Sequence, residues 1–452
     1  MIKLQLSPDI NIVAEKISHE DFWGYWHLYR EIPPEQFALV KLSGECLRKD
    51  SLEKIVQDLV NLQTLGLIPV VTFGWGRDLD EILKEARVSD KSIDGVRVTT
   101  KKVMPYVLKI AEHNGRTLEG VINRFGGRAM YIGPEKNVFL SEPKDADRYG
   151  EFTGNIVGID TAPVIHAINH HRIPIVSPIG VSHNGKIRYN NNADEAGNQL
   201  YLKLGSVKLI MLTSTQGVLD EKGELIREIA LRYELDDLKS RGILSKGMLN
   251  KVLSIYGTLQ NRPGGDDYTA QVAAPGNLLK ELFTRKGEGT LIRNGYEIVF
   301  APVKHFVPGI IRYILEEAFN KKLVEGYFAE PNMEVGQERV GKGAVTVIPN
   351  AVEDVAYLNS FGVINGYQKN GVGKDLFAAM VNRFGKIFWR SDPRRGIKDF
   401  YVEQSSGSQD FVSKDGHLYR GYYRGLDITN KKDSLLIVKL FNYMSKRANN
   451  FI

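Results

Sequence analysis

FALVKLSG (Phe37–Gly44) is a short apolar run that ends abruptly in small residues. Three further runs share its design: LIPVVTFG (Leu67–Gly74), HRIPIVSPIG (His171–Gly180) and VKLIMLTST (Val207–Thr215). Each is rich in β-branched residues and closes in Gly, Ser or Thr, the pattern of a buried strand feeding a loop. Longer stretches at helical spacing lie between them, such as SLEKIVQDLVNLQTLG (Ser51–Gly66). This alternation, from Phe37 to about Leu291, predicts an α/β domain around a mostly parallel sheet. Ligands of such sheets bind beyond the carboxyl ends of the strands, where the Gly/Ser/Thr loops fall. The segment TRKGEGTLIRNG (Thr284–Gly295) gathers Gly and charge and reads as a boundary. After it come a helix-like VPGIIRYILEEAF (Val307–Phe319), short strands such as KGAVTVIP (Lys342–Pro349), a Gly-rich turn and a second helix. The expected division is an arm or leading helix over residues 1–30, a first domain over 31–291, a linker over 292–297 and a smaller domain over 298–452.

A length of 452 residues exceeds one ordinary core, which agrees with two domains. Hydrophobic residues at 42% and charged residues at 25% belong to a globular chain, not a disordered one. The net charge of +6 suits anionic metabolites, and no Lys/Arg block interleaved with aromatics argues for nucleic acid. Cys46 is the only cysteine, so no internal disulfide or cysteine metal cluster is possible within this chain. Charges break every apolar run, so neither a signal peptide nor a membrane span is expected, and the compartment expected is the cytoplasm.

Four segments of the first domain carry candidate chemistry. Lys41 and Gly44 stand at a strand end, where an ammonium can sit beside a phosphate while the backbone comes close. Gly74 and Gly76 lie between a strand and the helix-like RDLDEILKEA (Arg77–Ala86), where N–H groups at a positive helix end suit an anion. In the run Asn190–Asp194, asparagines can fix an amide or carboxylate. Asp194 itself is also suited to a helix N-cap. In SKGMLNK (Ser245–Lys251), Met248, Leu249, Val252, Ile255, Tyr256 and Leu259 follow helical spacing, which puts Lys251 in the first turn. A lysine there opposes the helix dipole, pointing to another purpose.

In this order the segments resemble the amino acid kinase family, most of all its acetylglutamate kinases. That family carries Lys-x-Gly-Gly, His-Gly-Gly-Gly, Leu-Arg-Val-Thr, Asn-x-Asn-Ala-Asp and Gly-Gly-Met-x-x-Lys. This chain has Lys41/Gly44, Gly74/Gly76, Arg97 in GVRVTT, Asn190/Asn192/Asp194 and Lys251. LTSTQGVLD (Leu212–Asp220) is similar to the nucleotide-side loop, and Pro275–Arg293 to the segment ending the kinase half of bifunctional members. The resemblance implies a parallel-sheet kinase sandwich that transfers the γ-phosphoryl group of ATP, with Mg²⁺, to the side-chain carboxylate of an N-acylglutamate. Lys41 and Lys251 would stabilise charge, Asp194 would orient both, and the Gly44, Gly74 and Gly76 backbone would donate N–H groups. Arg97 would grip the substrate α-carboxylate, while Asn190 and Asn192 would read the acyl amide. Phe73 and Trp75 replace the family's His and third Gly, so that Trp75 either blocks the loop or points outward.

Gln368-Lys-Asn370-Gly371-Val-Gly373-Lys374 precedes the helix-like DLFAAMVNRFG (Asp375–Gly385). This loop and KIFWRSDPRRGIKDFYVEQSSG (Lys386–Gly407) resemble the GCN5-related acetyltransferases, specifically the vertebrate-like N-acetylglutamate synthase domain. The resemblance implies an α+β domain binding acetyl-CoA through Gln368, Asn370, Gly371, Gly373 and Lys374. Tyr401 would be the general acid for the departing thiolate, and Arg390 would bind a substrate carboxylate. By the same alignment, Ser360 replaces a family Lys, and Arg395 and Lys398 replace two Asn, so an altered acceptor site is expected. The acceptor is glutamate or another amino acid. A homo-oligomer and an arginine effector follow from resemblance alone. The competing expectation is a catalytically impaired relative, or a one-activity enzyme, that binds these ligands for regulation. His166, His170 and His171 read as helix-end or surface residues, and Lys431–Asp433 as a solvated turn.

Overall fold

The computed structural model describes residues 22–244, 246–262, 268–284, 287–368, 370–414 and 416–452. Most of the expected N-terminal arm, Ser245 of the fourth segment and Lys369 of the C-terminal loop lie outside the described residues. The chain forms two compact units, residues 1–294 and 295–452.

The first unit is built on an eight-stranded sheet. Its strands are β1 (Ala38–Leu42), β2 (Val70–Phe73), β3 (Ala129–Ile132), β4 (Ile173–Val176), β5 (Lys208–Leu212), β6 (Glu228–Ala230), β7 (Thr269–Ala273) and β8 (Thr290–Arg293). Their spatial order is β6-β8-β7-β5-β1-β2-β4-β3. All neighbours run parallel except β7 and β8. Central parallel strands are covered on both faces, which is why β1 is a continuous apolar run with every residue buried. Lys41 is the exception in composition, and a buried cation in the middle of a sheet demands a partner. A second, four-stranded sheet orders Arg188–Asn190, Ile179–Val181, Phe139–Pro143 and Gly154–Ile159.

The helices that matter below are α1 (Phe22–Glu31), α2 (Lys49–Thr64), α3 (Gly76–Glu85), α4 (Met104–Arg124), α5 (Ala193–Leu204) and α6 (Lys246–Gln260). α1 is the leading helix. It buries Phe22, Trp26 and Tyr29, spaced i, i+4 and i+7 on one stripe. The indole N–H of Trp26 donates to the Leu65 carbonyl at 3.2 Å. Lys251 falls in the second turn of α6, one turn later than its segment predicts, because the helix already starts at Lys246.

Two ionisable groups away from the loops are shifted, the buried Glu281 and the half-buried Lys208. Burial pushes Glu281 up to about 7, against the opposing hydrogen bonds from the Glu288 and Gly289 N–H groups. Burial also brings Lys208 down to about 8, while Glu281 opposes that shift. Between about pH 4.3, the ordinary Glu value, and about 7, folded Glu281 holds a proton that the unfolded chain has lost. Stability therefore falls as pH rises through that window. Above about pH 8 the sign reverses, since unfolded Lys208 holds the extra proton up to about 10.4. Urea melts across this range are expected to trace the fall, and Glu281→Gln is expected to flatten it between about pH 4.3 and 7. An unchanged slope in that variant would assign the dependence to other groups.

The second unit is a seven-stranded sheet. Its strands are β9 (Ile298–Pro302), β10 (Glu334–Glu338), β11 (Gly343–Val352), β12 (Val355–Val363), β13 (Ile387–Ser391), β14 (Gly407–Val412) and β15 (Leu418–Arg424). They lie in the order β9-β10-β11-β12-β13-β15-β14, with only β12 and β13 parallel. The helices are α7 (Pro308–Phe319), α8 (Val372–Phe384), α9 (Lys398–Gln404) and α10 (Lys431–Lys446). α8 buries Val372, Leu376, Phe377 and Met380 in one apolar cluster. Ile311, Ile314 and Leu315 of α7, and Leu436, Ile437, Leu440 and Met444 of α10, enter two others. Lys431–Asp433 are not a turn but the first turn of α10. Asn430 caps it by accepting from the Lys432 and Asp433 N–H groups, and the apolar spacing behind it carries the helix.

Candidate functional site

In the first unit the carboxyl ends of β1 and β2 place two loops against each other. A Cβ on Gly44 would stand 3.1 Å from the Trp75 Cα and 3.4 Å from the Gly74 carbonyl oxygen, so this approach needs glycine. Gly74 lies directly over Lys41: a Cβ there would be 3.9 Å from the lysine Nζ. Gly76 opens α3, and a Cβ there would meet nothing within 4 Å. Trp75 does not point outward. Its indole is 5% exposed, packs edge-on against Phe73 at 5.9 Å and belongs to the apolar core.

Lys41 forms an ion pair with Asp194, in the first turn of α5. Burial alone would raise the Asp194 carboxyl. The charges of Lys41 and Lys251, with the Lys41 hydrogen bond, outweigh it and hold the group below the usual carboxylate range. Asp194 therefore stays ionised between two cations. The two helices are registered one turn further on, where the Asn198 side chain donates to Ser254 Oγ at 2.6 Å. Gly197 lets α5 lie close over β1, since a Cβ would meet Thr72 at 3.2 Å and the Lys41 stem at 3.4 Å. Neither Gly197 nor the Asn198–Ser254 bond was expected from the motifs.

The cap of α5 is Asn192, whose side-chain oxygen accepts from the Asp194 and Glu195 N–H groups at 2.9 and 3.3 Å. The oxygen of Asn192 is thus committed to the helix, so that any amide it reads is read through Nδ2, and Asp194 is freed from capping. Asn192→Ala is expected to cost about 1 kcal/mol of stability, read as a lower urea midpoint at unchanged slope. Asn190 is buried and donates to Thr99 Oγ at 2.9 Å. Asn191, which the motif passes over, is 4% exposed and accepts from Ser141 Oγ at 3.0 Å. Its Nδ2 has no hydrogen-bond partner among the described residues. Gly154 and Gly180 make room around it, since a Cβ on either would overlap the Asn191 side chain. Arg97 is not an open receptor: its guanidinium pairs with Asp80 and Asp90 and donates to the Gly76 carbonyl at 3.1 Å.

In the second unit β12 and β13 pair through Ala356–Ile387 and Tyr357–Phe388, and among the described residues they pair no further. At the same level Asn359 is an extra residue in β12, because Thr346 faces Ser360 while Val347 faces Leu358. The loop after β12 is tied down by Gln368, whose amide donates to Asn365 Oδ1 at 2.9 Å. The Asn370 N–H donates to the Tyr367 carbonyl at 3.2 Å. Gly371 then takes φ 86°, a left-handed conformation that favours glycine, and starts the 13-residue α8. Gly373 and Lys374 lie in its first turn, where helix N–H groups and dipole suit a pyrophosphate.

Tyr401 on α9 is 6% exposed and packs against Trp389 and Tyr422, each at 5.5 Å. Burial pushes its hydroxyl well above the ordinary phenol value, so it keeps its proton. Beside it, Trp389 Nε1 and Tyr422 Oη are buried donors with no hydrogen-bond partner among the described residues. Arg390 does not face an open space. Its guanidinium donates to the Met444 and Ala448 carbonyls at 2.8 and 2.7 Å and stacks over Tyr419. His166 and His170 are exposed at one helix end, their rings tilted against each other at 4.2 Å.

The amino acid kinase family model matches residues 36–262. The model of the N-acetyltransferase of N-acetylglutamate synthase matches residues 310–442. Acetylglutamate kinase of Xanthomonas campestris pv. campestris is 30% identical over 86% of this chain and 91% of its own. Protein ARG5,6, mitochondrial, of Candida albicans is 27% identical over 93% of this chain, which spans 49% of that protein. The structure of N-acetylglutamate synthase from Neisseria gonorrhoeae, complexed with coenzyme A and N-acetyl-glutamate, superposes with a TM-score of 0.59 at 19% identity. It covers 89% of this chain and 98% of its own, a likeness of fold.

Proposed function

Because this chain belongs to the amino acid kinase family and carries an N-acetyltransferase domain of the N-acetylglutamate synthase type, we propose that it is a transferase of arginine biosynthesis. It phosphorylates the side-chain carboxylate of an N-acylglutamate with ATP. Its second unit is an acetyl-CoA-dependent acyltransferase with an altered acceptor site. The observation that carries the kinase reading is Asp194, ionised between Lys41 and Lys251 beneath the Gly74 loop.

A carboxylate oxygen of the acceptor bonds to the γ-phosphorus as the bond from phosphorus to the leaving ADP oxygen breaks. No proton need move. The demand is charge stabilisation, which two preorganised lysines supply from fixed positions. Asp194 holds both. The N–H groups of Gly44 and Gly76 approach the transferring group, while the Gly74 N–H is taken by the Leu42 carbonyl at 2.9 Å. Mg²⁺ bound to the nucleotide phosphates would neutralise part of their charge. Arg97 grips the α-carboxylate by exchanging Asp80, whose side chain is 56% exposed, for the substrate. Asn190 and Asn191 face the acyl amide.

In the second unit, Gly371, Gly373 and Lys374 would hold the coenzyme A pyrophosphate. Trp389 and Tyr422, whose buried donors have no hydrogen-bond partner among the described residues, pack against Tyr401. The acceptor amine forms a C–N bond to the thioester carbonyl, the C–S bond breaks, the proton held by Tyr401 goes to the departing thiolate sulfur, and the proton that the nitrogen releases restores the Tyr401 hydroxyl. The acceptor is glutamate or another amino acid. The enzyme works in the cytoplasm as a homo-oligomer, and arginine is its candidate effector. N-acetylglutamate synthase from Neisseria gonorrhoeae has been solved with L-arginine. Purified protein with Mg-ATP and N-acetylglutamate is expected to release ADP and form an acyl phosphate that hydroxylamine traps. No ADP across a panel of N-acylated acidic amino acids would end the kinase reading.

A further inference from the structure

Three residues of the block expected to hold the acetyl acceptor, Ser360, Arg390 and Arg395, lead to one short segment, residues 447–452. Asn450 Nδ2 donates to the Asn359 carbonyl at 2.8 Å and lies 3.3 Å from Ser360 Oγ. One arm of the Arg390 guanidinium is held by the Ala448 carbonyl at 2.7 Å, next to the arm held by Met444 at the end of α10. Two carbonyl oxygens thus occupy the fork that would take the two oxygens of a carboxylate. Arg395 lies over the Phe319 ring at 4.4 Å, and Phe319 stacks on Phe451 at 4.0 Å. The segment is anchored rather than draped: Ile452 and Lys322 exchange both backbone hydrogen bonds, at 2.9 and 3.3 Å, and Phe451 is buried. Arg447 completes the seal by donating to Glu330 at 3.0 Å and to Asn359 Oδ1 at 3.3 Å.

We propose that residues 447–452 are an autoinhibitory strap lying in the acceptor site of the acetyltransferase unit, displaced by the carboxylate of the incoming amino acid. The proposal rests on the acetyltransferase reading above. It predicts weak acceptor binding from a cause other than the family lysine that Ser360 replaces. Its consequence is quantitative: if the open form is populated at about 1–10%, apparent acceptor affinity is reduced about 10- to 100-fold by the strap.

The test uses the full chain and two loosened variants. Asn450→Ala removes the bonds to Asn359 and Ser360, and Phe451→Ala removes the anchoring ring. Three quantities are measured: amide exchange of residues 447–452 with and without L-glutamate, acetyl-CoA affinity by calorimetry, and the KM for glutamate from coenzyme A release. Glutamate is expected to speed exchange of the strap in wild type. Each variant is expected to show faster exchange without glutamate, a glutamate KM lowered about 10-fold or more, and an unchanged acetyl-CoA Kd. Faster exchange with an unchanged or raised KM overturns the strap, as does exchange that responds to neither glutamate nor substitution. A wild type that binds no acetyl-CoA at millimolar concentration overturns the acetyltransferase reading itself, an outcome distinct from the other two.

Discussion

Lys251→Ala is expected to lower the kcat of acyl-phosphate formation by about 10²–10³, the scale for removing one preorganised charge stabiliser. On the proposed mechanism, the phosphoryl group in flight carries charge that two cations divide between them, and Lys41 alone cannot replace the second. Asp194 makes the loss larger than a single missing charge. Its half-buried carboxylate is kept ionised by both lysines, so one lysine fewer leaves more negative charge uncompensated beside the phosphoryl group. The fold should be spared. α5 and α6 stay registered through Asn198 and Ser254, which Lys251 does not touch, and alanine is the better helix former. The measurement is therefore steady-state ADP release together with a thermal melt. A large fall in kcat at an unchanged melting temperature is the expected pair. A kcat within threefold of wild type would remove Lys251 from the transferring group and leave Lys41 as the sole cation.

The strand ends that build this site are legible in sequence because a fully buried parallel strand needs an unbroken apolar run. The abrupt change to Ser-Gly after Leu42, or to Gly after Phe73, marks where the run leaves the sheet. Lys41 stands out for the same reason, as a charge inside such a run. What sequence does not disclose is which partner a side chain chooses. Arg97 sits in its expected motif, yet Asp80 and Asp90 take its guanidinium, and nothing in GVRVTT announces them. Arg390 is likewise in place but turned to carbonyls 54 and 58 residues away. The direction of Trp75 depends on Phe73 and the core around it, a packing choice beyond the motif. Asn191 escapes a pattern that records its two neighbours, and only the glycines at 154 and 180 hint that something polar is being accommodated. Pairwise preferences are written locally, whereas the competition between partners is settled by tertiary geometry.

Gly371→Asp is expected to weaken acetyl-CoA binding about 10³-fold, with Gly371→Ala as its neutral control. Two effects separate the variants. Both place a Cβ on a residue at φ 86°, where an L side chain is strained, so both disturb the turn that aims the α8 N–H groups. Only aspartate adds a carboxylate where the pyrophosphate is to sit. Two like charges about 4 Å apart at an effective dielectric constant of about 20 repel by about 4 kcal/mol, close to three decades in Kd. The same carboxylate at the start of α8 is favourable for the helix itself, since an anion there faces the positive end of the dipole. The aspartate variant should therefore melt no lower than the alanine one while binding far less tightly. That opposition is what identifies a ligand-facing loop: charge that helps the fold and harms the affinity. Calorimetry with acetyl-CoA and a melt of each variant decide it. Equal affinities for the alanine and aspartate variants would mean that no anion faces residue 371 and that the loop is a strand-to-helix turn only.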